Sequence, residues 1–133
     1  MGDRGRFSLR GDHVGMTYLI LTQPENAANI SEALWRLSAT AGSSTRYAVA
    51  WITHPTTGDV ALHLGTGTQY LQPNADIDAF LDLLPITAAE QDAARLALEA
   101  ARGQRLSYAE MVPPSLQPNL RTHEQMDAAG WFA

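Results

Sequence analysis

Three side chains in the stretch HPTTGDVALH, His54, Asp59 and His63, are of the types that metal and acid–base chemistry use. Imidazole suits zinc, iron or nickel, and a carboxylate completes many such sites. A catalytic zinc needs three protein ligands and an open fourth position, which this trio would just supply. The spacing His-x4-Asp-x3-His matches no motif with a mechanism behind it, and His54 stands before a proline, where polar turn residues are usual. The polar side of a hairpin is therefore the expected reading. A divalent metal at His54, Asp59 and His63 is the alternative, and the one cofactor the residues would hold.

Other chemistries are excluded by what the chain lacks. It has no cysteine, which removes disulfides, thiolate zinc sites and cysteine nucleophiles. All nine of its basic residues are arginine, so a Schiff-base lysine, a phosphate-loop lysine and a serine–lysine dyad are absent too. Arginine and alanine without lysine reads as the coding bias of a GC-rich bacterial genome. Ser43, Ser44, Ser107 and Ser115 lack the Gly-x-Ser-x-Gly elbow of a serine hydrolase. GTGT (65–68) is followed by QYLQP rather than by a helix, so it is expected to be a strand bulge and not a phosphate cradle. Asp76, Asp78 and Asp82 fall at the start and outer side of an expected helix, where they favour its dipole.

The net charge of −5 argues against a nucleic-acid partner, which needs a basic surface to displace counterions. Arg4, Arg6 and Arg10 make a local exception in an N-terminal arm, 1–15, that precedes a single domain, 16–133, with Met16 a second candidate start. The arm contains Arg10-Gly11-Asp12, read as a chance match to an adhesion tripeptide. No run of eighteen apolar residues is present to span a membrane, and no leader pattern opens the chain, so a cytoplasmic protein is expected.

The elements that must position these residues follow from periodicity. TYLILTQ (17–23) reads as a buried strand. Thr22-Gln23-Pro24-Glu25 offers a capping box, followed by a helical stripe of Ala27, Ile30, Leu34, Leu37 and Ala41 that Gly42 would end. RYAVAWITH and DVALHLGTG alternate as two strands of a hairpin. An even loop puts Trp51, Leu62 and Leu64 on a face that packs on helices, with His54, Asp59 and His63 on the other; a bulge at Gly58 would shift that pairing.

Ile77, Phe80, Leu81 and Leu84 form a second helical stripe, which Pro85 ends. Thr87 to Glu90 is another capping box, and behind it Ala89, Ala93, Leu96, Ala97 and Ala100 are expected to pack closely on a neighbour. QRLSYAEM suits either a strand or a helical turn, VPPSLQPNL an extended connector, and Thr122 to Gln125 a third capping box opening a helix that Gly130 stops. Trp131 and Phe132 would cost about a few kcal/mol if left in water, so they dock on this domain or on a partner.

The expected fold class is α+β: a small mixed or antiparallel sheet with a β-α-β-β core, packed by two to three C-terminal helices. Two functions are compatible with it. The first is a non-catalytic protein-binding or assembly protein, an inhibitor, immunity-type protein or homo-oligomer subunit, with Trp131, Phe132, Arg4, Arg6 and Arg10 as partner-binding residues. The second is a small metal- or ligand-binding enzyme using the polar hairpin face.

Overall fold

The computed structural model describes residues 17–22, 26–39 and 49–132. Its centre is a four-stranded antiparallel sheet in the order β2-β3-β1-β6, built from β1 (Thr17–Leu21), β2 (Trp51–Thr53), β3 (Val60–Gly65) and β6 (Leu120–Thr122). A separate two-stranded ribbon joins β4 (Thr68–Tyr70) to β5 (Arg105–Ser107). The helices are α1 (Ala27–Arg36), α2 (Ile77–Leu81), α3 (Ala88–Ala100), α4 (Tyr108–Met111) and α5 (His123–Ala128). The chain is thus α+β, with a small antiparallel sheet and its later helices toward the C-terminus.

The hairpin has the expected register: Trp51 faces Leu62, Ile52 faces Ala61 and Thr53 faces Val60. Gly58, at φ 80°, supplies the positive φ that the turn needs, and no bulge interrupts the pairing there. The bulge falls at the other end of β3. Tyr18 pairs with His63 but Thr17 pairs with Gly65, so Leu64 is the extra residue, next to Gly65 at φ 76°.

The two faces of the sheet bury different things. Leu19, Leu21, Leu62 and Leu64 form the main core with Ile30, Leu34 and Leu37 of the α1 region, Ile77, Phe80 and Leu81 of α2, and Leu98 of α3. Tyr18, Ala61 and Met126 form a smaller cluster on the opposite face, with Ile20, Ile52 and Trp131 at its margin. Burying a side chain such as Met126 in that cluster contributes about 1.5–3 kcal/mol.

Several expectations change. Trp51 shares the face of Leu62, yet it stands on the edge strand and is 42% exposed, so it is not part of the helix-packed core. α1 starts at Ala27 behind Asn26, which makes no side-chain cap; Gln23 to Glu25 of the expected box and the Gly42 stop lie outside the described residues. The proline-rich segment is not extended: Pro114–Asn119 is a 3-10 helix with proline in its first turn, where the N–H would have no partner, and β6 follows it directly. QRLSYAEM supplies both of its alternatives, β5 and then α4, joined at Ser107, whose side chain caps the helix.

The stripe on α3 is also placed differently. The helix packs inward through Ala94 and Leu98, whereas Ala89, Ala93, Leu96, Ala97 and Ala100 all face out. Arg95 lies beside that buried face, with its guanidinium 2.7 Å from Asp78 of α2 and 2.7 Å from Asp92 of its own helix. The two carboxylates hold that arginine firmly in its charged form. Among the described residues no helix is long and apolar enough to cross a membrane.

Candidate functional site

The histidines seen in the sequence meet the C-terminal segment on the minor face of the sheet. Thr122 accepts from the Gln125 amide and the Gln125 side chain accepts from the Thr122 amide, so the capping box fixes where α5 begins. The first residue of the helix, His123, therefore lands beside Tyr18, and its Nδ1 lies 3.0 Å from the tyrosine hydroxyl. Tyr18 is also 5.0 Å, centroid to centroid, from His63, its cross-strand partner on β3. Phe132 closes the cluster, stacked on His123 at 4.6 Å with the planes 19° apart.

The cluster is rich in rings and partly open to solvent: Tyr18 is buried, His63 and His123 are half-buried and Phe132 is exposed. The buried Nε2 of His63 has no hydrogen-bond partner among the described residues. Burial, and then the nearby His123, push the His63 imidazole below its ordinary pKa, so the neutral ring is favoured. Burial likewise pushes the Tyr18 phenol up.

His54 belongs to a different arrangement. Its Nδ1 accepts from the backbone amides of Thr56 (3.1 Å) and Thr57 (3.2 Å), which requires an unprotonated nitrogen. The proton is thus assigned to Nε2, which donates to the Ala129 carbonyl at 3.0 Å. Trp131 packs edge-on against the same ring at 4.9 Å. His54 ties the hairpin turn to the end of α5, and both of its nitrogens are occupied.

Asp59 closes the turn through its backbone, accepting from the His54 amide at 2.8 Å. His54, Asp59 and His63 do share one face of the hairpin, as their register requires. They do not converge: among the described residues no three histidine, aspartate or glutamate side chains are grouped so that they could hold a metal ion. Tyr18 and His123 complete the cluster around His63 instead. The alternation of TYLIL and the third capping box were the signals for them.

Trp131 and Phe132 dock on their own domain. Trp131 packs on the minor cluster, and Phe132, still 37% exposed, covers Tyr18 and His123. Arg4, Arg6 and Arg10 lie outside the described residues.

A second candidate surface was not visible in the sequence. Between α3 and the segment from β5 to the 3-10 helix runs an open trough of about 560 Å3, floored by Ala94, Ala97, Ala101 and Ala109 and walled by Leu106 and Val112. Alanine side chains leave this volume because they stop at Cβ. Gln117 stands at the trough with its amide spent on the Ala109 and Val112 carbonyls, both at 2.9 Å. Ala97 lines the trough and also belongs to the outward stripe of α3, so the two apolar areas are continuous. Leu96, 70% exposed, projects from that stripe.

Comparison with family models, with curated proteins and with solved structures finds no match to this chain.

Proposed function

We propose that this chain is a small non-catalytic protein-binding subunit that assembles with copies of itself through the exposed apolar face of α3. One observation carries the reading: α3 has two apolar faces, and only that of Ala94 and Leu98 is buried. A surface helix normally sets a polar face opposite its buried one. Contiguous exposed apolar area on a monomer commonly marks an interaction surface.

The order of sizes on the stripe supports a second copy as the occupant. In an antiparallel pair with its two-fold axis between Leu96 and Ala97, each Leu96 meets Ala97 of the second copy, and each Ala93 meets Ala100. Large thus opposes small at the centre, and alanine elsewhere lets the backbones approach. Such a two-fold contact closes on itself and stops at a dimer. The acidic net charge opposes association only weakly, because exposed charges are screened at ordinary salt.

Light scattering at increasing concentration tests this. The wild type is expected to give a dimer, and Leu96→Glu, which puts charge at the axis without touching the core, a folded monomer. A wild type that stays monomeric throughout overturns self-assembly. A second reading, a ligand- or metal-binding enzyme using His54, Asp59 and His63, is favoured only by the unpartnered Nε2 of His63.

A further inference from the structure

The segment 123–132 is held on the minor face of the sheet by an unusual set of contacts. Its apolar anchors are few: Met126, fully buried, and Trp131 at the margin. Phe132 also meets Tyr18, and three imidazoles supply further contacts. His123 within the segment meets Tyr18 and Phe132, His63 of β3 lies beside Tyr18, and His54 binds the carbonyl at the end of α5. Imidazole is the side chain whose ordinary charge change lies between about pH 5 and 8.

We propose that residues 123–132 form a pH-operated strap, and that protonation of His63 releases it from the sheet. His63 is the trigger because its buried Nε2 has no acceptor. A proton added to His63 places a charge beside the Tyr18 ring and near the His123 imidazole, with no acceptor for Nε2 among the described residues. Lifting the strap, which carries His123, removes that neighbour and opens Nε2 to water. Burial and the neighbouring His123 already hold His63 in its neutral form, which is the expected sign for a group whose charged form is solvated only after undocking.

Among the described residues, the other ionisable groups around this face do not neutralise that proton. From β1 there is the Tyr18 phenol, neutral in the relevant range because burial pushes its pKa up. From β6, Arg121 is the cross-strand partner of Tyr18, and its guanidinium is bound to the carbonyls of Pro118 (2.7 Å) and Leu120 (2.9 Å). Glu124 and Asp127 of α5 are exposed. Asp59 and His54 belong to the turn at the far end of the hairpin. Release would uncover Tyr18, Ile20, Ile52 and Ala61, an apolar strip on the face of the sheet that α3 does not touch. The device is therefore independent of assembly through α3.

The test is hydrogen exchange of the full chain, residue by residue, from about pH 7.5 to about pH 5, corrected for the intrinsic rate. Protection of the amides in 126–132 is expected to fall by up to about tenfold per pH unit for one proton and to stay below that of the β1 and β3 amides, which open only with the whole domain. His63→Phe keeps a ring against Tyr18 and cannot take up a proton, so its strap should stay protected at the acid end. If that ring does not fit, His63→Gln carries the same expectation. Strap protection equal to that of β1 and β3 at every pH in the wild type overturns the proposal. So does an acid loss of equal size in the His63 variants, or one that disappears only in His123→Asn.

Discussion

The Nε2 of His54 lies 3.0 Å from the carbonyl oxygen of Ala129, 75 residues further along the chain. A turn residue that resembles a metal ligand by its type is thereby the clasp between the hairpin and the last helix. Ala129 follows the last turn of α5, where carbonyls have no partner within the helix, so the donor from His54 satisfies a group that would otherwise depend on water. We predict that His54→Ala destabilises the fold by about 1–2 kcal/mol, the cost of one lost hydrogen bond plus the Trp131 edge contact. Urea unfolding measures it, and a midpoint unchanged from wild type contradicts the clasp.

The His63 imidazole sets the sign of the pH dependence. Its folded pKa is depressed, so the unfolded chain takes up the proton first as pH falls. Above about pH 6.5 the ring is neutral in both states and stability is unaffected. Below that value stability should decline, by up to about tenfold per pH unit in the folding equilibrium for this one proton, until the lower folded pKa is passed. Comparing urea midpoints at neutral and mildly acid pH for wild type and His63→Phe tests this. The expected result is a smaller acid decline in the variant, and equal declines refute the assignment.

Two glycines separate backbone strain from side-chain space. Gly103 has φ 80°, and a Cβ placed there would meet only the Tyr70 hydroxyl at 3.7 Å, an ordinary contact. Gly103→Ala should therefore cost only the backbone term, about 1 kcal/mol. Gly67 lacks the positive φ and has open space around it, so Gly67→Ala should be neutral or slightly stabilising. Thermal unfolding of the two variants should differ in that order, and a reversed order would contradict the loop geometry.

Much of this arrangement was legible in the residues, and the failures have physical causes. Capping boxes at Thr87 and Thr122 were readable because the reciprocal bonds involve residues only three apart. The register of Trp51 on Leu62 was readable from alternation. Alternation assigns a side, not a cover, and the edge position of β2 leaves Trp51 exposed. On α3 the alanine stripe and the Ala94–Leu98 face are both apolar, so periodicity alone could not tell which of them packs on α2 and the core. β6 escaped notice because its three residues gain their strand character from pairing with β1, not from their own propensity. The cluster of Tyr18, His63 and His123 joins residues 105 apart in sequence, and only the return of the chain beside β1 brings them together.

Removing the α5 cap should loosen the strap without reaching the main core. Thr122→Ala deletes the acceptor for the Gln125 amide and is expected to cost about 0.5–2 kcal/mol. In hydrogen exchange the loss should appear in 123–132 and not in α1 or α2. An even loss across the chain would mean that α5 folds only with the whole domain.

Assembly through α3 is tested most directly by cross-linking. The chain contains no cysteine, so a single introduced thiol can pair only with another copy. Ala97 stands beside the proposed two-fold axis, within the span that a disulfide needs in a closely packed helix pair. Oxidation of Ala97→Cys is predicted to give a covalent dimer in high yield, while Asp92→Cys, on the charged side of the same helix, gives little. Equal yields from the two positions, or none from Ala97→Cys, would contradict the account.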